Sequence, residues 1–363
     1  MARMRIVALV VGVVLIAVAA VVVTNFGRNE AGDGCRDQVA VRGVIGSEKE
    51  AFFDDERVTN RLACLGFTVA VDSRGSREML DTLTTDNHGY GFAFPSSTPT
   101  AQKILATLGL HDDIPLFSTP MAVATFRPVA LALKRANIIQ PGANGKDVLD
   151  IAALLTAARN GMTWDQVPGN REYTPHKAVL LSTTDPQDSN SAIMYLSIAS
   201  QVANGGAIVT TPEQVRSVLP DLCRLIFYQG DKPETSQVLF DNYLVDGMGR
   251  TPMALIYEAQ YLTKAPPPAL TEDNEVLYPK PTVYSRHTLI PLSDNGKAVG
   301  MALRDDPELV RLATEHGFRA EKSTTAPAAD RPVDVVESPS FDVLEEMLAA
   351  LAPTSENATR CGR

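Results

Sequence analysis

Short apolar runs alternate with amphipathic segments over the N-terminal part of the chain. Residues 39–45, 67–71 and 90–94 are rich in β-branched and aromatic residues, as strands are. Helical segments, in which apolar residues recur at helical spacing, are predicted to follow them at residues 49–65, 78–83 and 101–108. Because each strand is followed by a helix, the pattern predicts a parallel β-sheet with helices on its faces.

The pattern changes at residues 116–133, a long apolar stretch without a helical period. We interpret this stretch as an extended connection between two lobes. Further helices are predicted at residues 148–159, from Asn190, and at residues 212–225, 307–316 and 341–351, and further strands at residues 178–181 and 253–257. Prolines cluster at residues 266–281, which predicts a surface excursion.

The chain begins with a basic segment that is followed by an apolar one. Arg3 and Arg5 precede residues 6–23, which contain neither charge nor proline and reach the lower end of the length that spans a bilayer. The basic flank should stay on the cytoplasmic side. The apolar run is long and its end suits a cleavage site poorly, which favours an uncleaved signal anchor over a cleaved signal peptide. We therefore expect an extracytoplasmic protein, held by one N-terminal transmembrane helix or secreted after cleavage.

Charge and cysteine content narrow the function further. The net charge of −10 disfavours a nucleic-acid partner or an anionic-lipid surface. The four cysteines, Cys35, Cys64, Cys223 and Cys361, form no metal-binding spacing. In an oxidising compartment they are candidates for two disulfides with three possible pairings, and the sequence leaves the pairing open. No metal site and no cofactor are predicted, and a monomer is expected.

Hydroxylated residues follow several predicted strands. In parallel sheets ligands bind beyond the carboxyl ends of the strands, where helix N-termini and hydroxyl groups can hold an anion or a carboxylate. The same residue types are ordinary helix caps. The candidate ligand-binding residues of these loops are Ser47, Ser76, Ser96, Ser97, Ser189, Asn190 and Ser191, with Lys49 and Arg77 as the nearest cations.

Sequence signatures of catalysis are missing. The chain has no G-x-S-x-G elbow, no H-E-x-x-H, no P-loop and no G-x-G-x-x-G fingerprint. The five histidines are scattered, and a packing role is predicted for His287. No catalytic residue is assigned, and the chain is not expected to be an enzyme.

Several stretches of the chain resemble the extracellular solute-binding proteins of bacterial ABC transport systems, which have the type 2 periplasmic-binding fold. They are VIGSEKEAFF (44–53), DSRGSREM (72–79), TTDPQDSNSAIMYL (183–196), MALIYEAQYL (253–262), PTVYSRHTLIPL (281–292) and LATEHGFR (312–319). Within this family the chain is most similar to the molybdate-binding branch and its actinobacterial relatives. The resemblance covers residues 40–351.

The resemblance implies an α/β protein of two Rossmann-like lobes, joined by two crossovers, with a ligand cleft between them. It places Ser47, Ser76, Ser96, Ser97, Asn190, Ser191 and Tyr257 in the cleft. The expected segments are 1–25 signal anchor or signal peptide, 26–38 tether, 39–120 first lobe, 121–252 second lobe, 253–319 return to the first lobe, 320–340 mobile linker, 341–351 C-terminal helix and 352–363 tail.

The implied function is capture of a small ligand for an ABC permease or another membrane complex. The sequence leaves the charge of the ligand open: an anion is one possibility, but Glu48 stands where oxyanion binders of this family have a small or hydroxylated residue. Lys49 and Arg77 could offset that charge, or the ligand is zwitterionic or cationic. The alternative is a membrane-anchored sensor or interaction module with the same fold and no transported ligand, which a cleft filled by its own side chains would favour.

Overall fold

The structure is a computed structural model that describes residues 37–85, 89–143, 145–264, 270–321 and 334–352. The predicted membrane segment, residues 6–23, lies outside this part of the chain, as do Cys35 and Cys361. Within the described ranges no helix combines the length and the hydropathy needed to cross a bilayer.

Strands and helices alternate along the described residues. The strands are β1 (Val39–Ile45), β2 (Phe67–Ser73), β3 (Phe92–Phe94), β4 (Ile114–Phe126), β5 (Ile139–Pro141), β6 (Asp147–Asp150), β7 (Met253–Tyr257), β8 (Asn274–Lys280), β9 (Thr282–Pro291), β10 (Arg319–Ala320) and β11 (Val335–Val336). The helices are α1 (Glu50–Phe53), α2 (Glu56–Cys64), α3 (Ser76–Thr85), α4 (Thr98–Leu108), α5 (Arg127–Arg135), α6 (Ile151–Arg159), α7 (Asn190–Ala203), α8 (Pro212–Phe227), α9 (Ser236–Asp246), α10 (Glu258–Lys264), α11 (Asp294–Asp305), α12 (Pro307–Glu315) and α13 (Phe341–Leu351). Single 3-10 turns span Ser47–Lys49 and Trp164–Gln166.

The strands form one mixed sheet rather than the parallel sheet that the sequence predicts. Its order is β2-β1-β3-β9-β4-β8-β6-β5, with β7 and β10 also on β4 and β11 on β9. β1 pairs in parallel with β2 and with β3, as predicted. The prediction of an all-parallel sheet is wrong because β9 runs antiparallel to both β3 and β4. Together β4 and β9 carry the sheet across the molecule.

Buried apolar side chains form separate clusters on the two sides of β4. The first core combines two adjoining clusters from residues 41–117 and 259–320, and it includes Phe52 and Leu289. The second core is built from residues 121–283 and 344–351, and it includes Trp164 and Leu222. β4 contributes to both cores, Ile114, Leu116 and Phe117 to the first and Met121 and Val123 to the second.

The structure differs from the sequence-based predictions in four places. Residues 116–133 are not one extended connection, because the chain turns into helix α5 at Arg127, with a proline in the first turn where no amide hydrogen is needed. Val179, Leu180 and Leu181 are buried, but residues 178–181 make only an isolated bridge, between Ala178 and Thr163. The proline cluster at residues 266–281 contains the whole of strand β8. β7, which was expected to begin the return to the first lobe, pairs with β4 and packs in the second core.

Candidate ligand-binding cleft

A cleft of about 440 Å³ opens between residues of the two cores. One wall comes from the carboxyl ends of β1, β2 and β3 and the loops that follow them. The other wall comes from residues 188–190 and 234–236, at the starts of α7 and α9, and from Tyr257 at the end of β7. The volume is in the range of small-molecule sites, roughly 300–1,000 Å³. Because β1 runs parallel to β2 and to β3, the loops that follow these strands lie at one edge of the sheet, as the sequence predicts.

Half of the predicted ligand-binding residues line this cleft. They are Ser47, Ser96, Ser189, Asn190 and Tyr257. Ser76 is the first residue of helix α3, directly after the loop that follows β2. The structure does not describe the side chains of Ser76 and Arg77, so their roles in binding stay predictions.

The remaining predicted residues lie behind the cleft wall. Ser97 is the N-cap of α4, where its hydroxyl accepts a hydrogen bond from the amide of Thr100. Ser191 is completely buried, and its Oγ lies 2.7 Å from Oγ1 of Thr184. Both serines therefore have the capping and packing roles that these residue types commonly take. Lys49, expected as a cation of the cleft, is also completely buried.

Asn190 connects the two walls at the N-terminus of α7. Its Nδ2 atom donates to Oη of Tyr257 at 3.1 Å and to the carbonyl of Ser96 at 3.3 Å. Its Oδ1 atom is buried and has no hydrogen-bond partner among the described residues. Burial, and then the negative charge of Glu48, raise the pKa of Tyr257 well above its usual value, so this phenol stays protonated. Asn190 thus carries an acceptor in the cleft wall that the protein leaves unsatisfied.

A buried charged network supports the floor of the cleft. Lys49 donates to Oε1 of Glu48, to Oγ of Ser96 at 3.1 Å and to Nδ1 of His287 at 3.0 Å. Ser96 also donates to Oε1 of Glu48 at 2.6 Å. The hydroxyl of Ser285 lies 3.1 Å from Nε2 of His287 and donates to the Ser96 carbonyl. His287 therefore has the predicted packing role, at the centre of a polar network.

The network fixes the charge of Glu48. Burial alone favours the protonated form, but the positive charge of Lys49, and then the hydrogen bond and charge of His287, lower the pKa of this carboxyl far below its usual value. Burial, followed by the charge of Lys49, lowers the pKa of His287 to about 4. Near neutral pH Glu48 is an anion and His287 is neutral.

The neutral imidazole has one consistent tautomer. The ammonium group of Lys49 can only donate, so Nδ1 of His287, at 3.0 Å from it, accepts. The hydrogen then lies on Nε2, which donates to Ser285, whose own hydroxyl hydrogen goes to the Ser96 carbonyl. The contact of 3.3 Å between Nδ1 and Oε1 of Glu48 is longer and is not a hydrogen bond in this tautomer.

The charged residues among those that line the cleft are mainly acidic. Glu48, Glu78, Asp188 and Glu234 carry carboxylates, and Arg74 is the cation among them. Arg74 forms an ion pair with Glu78, which raises the pKa of the guanidinium and keeps it charged. No group of three or more metal-ligating side chains that could hold an ion occurs in the described ranges.

Several of these residues are not among the candidates predicted from the sequence. Arg74 lies in the predicted loop after β2, where Arg77 was the predicted cation. Glu234 and Ser236 precede or begin α9, which the apolar pattern did not predict. That helix exposes Val238 and Val245, which blurs its apolar face.

The backbones of the two walls approach each other closely at Gly75. A Cβ atom at this position would lie 2.2 Å from the carbonyl oxygen of Asp188. Gly75 follows β2 and belongs to the first wall, whereas Asp188 precedes α7 on the second. The absence of a side chain at Gly75 therefore permits the walls to approach this closely.

A second cavity, of about 450 Å³, lies against the second core. Aromatic side chains of Trp164, Tyr173 and Tyr228 contribute to its lining, and Lys177 and Arg250 lie at it as well. All of its lining residues fall within residues 164–252, and none of them also lines the cleft.

Comparison with known proteins relates the architecture to solved structures. No protein-family model matches the chain, and no curated protein matches it. A periplasmic thiamin binding protein has a TM-score of 0.59 at 9% identity, covering 89% of this chain and 100% of its own. Iron-bound HitA from Pseudomonas aeruginosa has a TM-score of 0.53 at 12% identity, covering 89% and 98%. The periplasmic binding protein P5PA has a TM-score of 0.52 at 12% identity, covering 89% and 97%.

At these identities the likeness concerns the fold. The chain has the mixed α/β fold of periplasmic binding proteins, which confirms the predicted fold class at that level. The finer resemblance to the molybdate-binding branch and to actinobacterial relatives stays a prediction, as do the boundaries of the two lobes.

Proposed function

We propose that this chain is an extracytoplasmic, non-catalytic solute-binding protein that holds a small ligand in the cleft between two lobes. The observation that carries this proposal is the cleft of about 440 Å³ between residues of the first and the second core. Its polar groups converge from strand ends and from the starts of two long helices, α7 and α9. Such convergence in a preformed concave site is typical of small-molecule recognition.

The solved structures with this fold support the proposal. Their titles describe a thiamin binding protein, an iron-bound protein and a periplasmic binding protein. The predicted export segment at residues 6–23 is consistent with a location outside the cytoplasm. Delivery of the solute to an ABC permease, as the sequence resemblance implies, is the role that we propose for the bound state.

The connections between the cores support movement of one lobe against the other. β4 and β9 pair with each other and both continue from the region of the first core toward the second. A closure of this kind needs only a few connecting residues that absorb the rotation. The contact of Gly75 with Asp188 across the cleft then belongs to a closed arrangement.

An interaction module without a ligand is the competing function. That alternative predicts a cleft filled by its own side chains and a salt bridge from Glu48 to a loop arginine. Instead, Glu48 pairs with the buried Lys49, and the space in front of it is open. The open space favours a binding protein over an interaction module.

A thermal-shift screen of oxyanions, amino acids, amines and sugars tests the proposal. A ligand at about 100 times its dissociation constant should add about 2.7 kcal/mol to the free energy of unfolding. The variant Ser47→Trp, which fills the cleft, should lose the shift, and the matched control Ser217→Trp on the exposed face of α8 should keep it. The proposal fails if no compound stabilises the protein, or if Ser47→Trp responds like the wild type.

A further inference from the structure

We infer that Glu48 binds a cationic amino group of the solute through the carboxylate oxygen that the protein leaves free. The ligand class is then a small ammonium compound rather than an oxyanion. This inference rests on the proposed function and specifies what the cleft recognises.

The hydrogen bonds of Glu48 are distributed unevenly between its two oxygens. Oε1 accepts from Lys49 and, at 2.6 Å, from Ser96, and it also lies 3.3 Å from Nδ1 of His287. Oε2 accepts no hydrogen bond from any described residue. The residue as a whole is only 8% exposed, yet it lines the cleft. A nearly buried carboxylate thus presents one unpartnered oxygen to the ligand space.

Gly46 keeps the approach to this oxygen open. A Cβ atom at Gly46 would lie 2.7 Å from Oε2 of Glu48 and 2.1 Å from Oγ of Ser96. Any side chain at this position would therefore press on the carboxylate and its supporting hydroxyl. Gly46 itself lines the cleft, next to Ser47.

The chemistry of the free oxygen selects the ligand. An ionised carboxylate only accepts hydrogen bonds, and a fully ionised oxyanion has none to donate. An ammonium group has donors and the opposite charge. Lys49 does not reverse this preference, because its ammonium is completely buried and is committed to Glu48, Ser96 and His287.

One further lining charge acts in the same direction. Glu234 adds a carboxylate to the cleft, whereas Arg74 and Glu78 form an ion pair and offset each other. An oxyanion would face the carboxylates of Glu48 and Glu234 without an unpaired cation among the described lining residues. A cationic group is attracted by the same arrangement.

Two kinds of solute share the required ammonium group. An amino acid also carries a carboxylate, which the amides at the start of α7 could hold, whereas a polyamine carries only cationic ends. Four probes of comparable size separate these cases: L-ornithine for the amino acid, putrescine for the polyamine, and succinate and sulfate for the anions. Isothermal titration of the exported chain at low ionic strength measures each affinity.

Binding of L-ornithine, putrescine or both is expected, with no heat from succinate or sulfate. Glu48→Gln should weaken that binding by at least about 10-fold, since it removes a charge-assisted hydrogen bond. Glu48→Gln leaves Lys49 buried without its counter-ion, so Glu48→Gln/Lys49→Met provides a second variant that removes both charges. Glu337→Gln removes an exposed carboxylate that pairs with Arg286, and this control should bind within about twofold of the wild type.

The outcomes separate the inference from the function on which it rests. Binding of sulfate, succinate or an uncharged sugar instead of the amines overturns the ligand class and leaves a solute-binding protein. Full affinity for the amine in the folded double variant overturns the role of Glu48. The absence of binding by every probe and by every compound of the wider screen overturns both.

Discussion

The Nζ atom of Lys49 lies 3.0 Å from Nδ1 of His287, and both side chains are completely buried. Two groups that can each carry a positive charge thus share one site, with a single carboxylate, that of Glu48, to compensate them. Burial lowers the pKa of Lys49, and the charge and hydrogen bond of Glu48 oppose that fall, whereas burial and the charge of Lys49 both favour a neutral His287. Because His287 can be protonated, the stability of the network beneath the cleft depends on pH.

Acidification should destabilise the protein through His287. The folded-state pKa is about 4 and the ordinary value is 6.5, so between these pH values the unfolded chain binds more protons. The free energy of unfolding therefore rises with pH across this window, by up to about 1.4 kcal/mol per pH unit. The pKa of Glu48 is also lowered, so the free energy of unfolding continues to fall as the pH drops below the ordinary pKa of a glutamate.

Urea unfolding at pH 5, 6 and 7 measures this slope. His287→Gln should flatten it, because the titrating group is removed, whereas His111→Gln at an exposed position should leave it unchanged. An equal slope in the wild type and His287→Gln would show that His287 does not titrate as its surroundings require.

Removal of one partner of the buried ion pair should cost more than removal of both. Lys49→Met leaves the carboxylate of Glu48 buried without its counter-ion, and a loss of about 3–5 kcal/mol is expected. The double variant Glu48→Gln/Lys49→Met should be more stable than the sum of the single effects predicts. Lys297→Met, which breaks an exposed pair with Asp112, should cost less than about 1 kcal/mol.

Chemical denaturation of the wild type, Glu48→Gln, Lys49→Met and the double variant gives the coupling energy of the double-mutant cycle. Additive effects of the two substitutions would contradict the network, because they would mean that Glu48 and Lys49 do not interact in the folded protein.

Gly75→Ala should weaken ligand binding by separating the walls of the cleft. The new methyl group would lie 2.2 Å from the carbonyl oxygen of Asp188, a backbone atom that cannot turn away. Gly249→Ala is the matched control, since nothing lies within 4 Å of its Cβ position. Affinity for the bound solute and the radius of gyration from small-angle scattering are the measurements. Unchanged affinity and size for Gly75→Ala would mean that the walls do not meet in solution.

Helices and strands whose apolar residues recur at regular spacing could be predicted from the sequence. α7 begins at Asn190 and α13 spans Phe341–Leu351, both as predicted. β9 was missed because Ser285, His287 and Thr288 interrupt its apolar alternation although all three are buried. Buried polar residues of this kind are tolerated because partners elsewhere in the fold satisfy them, and those partners are not visible in a local pattern.

The candidate site was predictable in its hydroxyl groups but not in its charges. Ser47, Ser96 and Ser189 were identified because strand ends precede helix starts. The inward position of Lys49 was not, because its partner His287 is 238 positions away along the chain. Only the tertiary structure shows that Lys49 pairs with Oε1 of Glu48 inside the protein and does not line the cleft.

We predict that Cys35 pairs with Cys64 and Cys223 with Cys361. Neither Cys64 nor Cys223 has a free thiol. Cys64 ends α2 in the region of the first core, near the N-terminus of β1, whereas Cys223 is buried in α8 of the second core, on which α13 packs. We therefore expect Cys35 to be bonded to the first core and Cys361 to the second.

Peptide mapping without reduction identifies the pairs. Reduction of either bond should lower the free energy of unfolding by about 2–4 kcal/mol. A peptide that joins Cys64 to Cys223, or Cys35 to Cys361, would contradict this pairing.

The central claim is that the cleft holds a small solute, and native mass spectrometry tests it most directly. The purified protein and the variant Ser47→Trp are incubated with a small-molecule extract and desalted under non-denaturing conditions. The account predicts that the wild type retains an added small mass that is released on unfolding, and that Ser47→Trp retains none. A wild-type protein that carries no added mass, or a variant that retains the same mass, would contradict it.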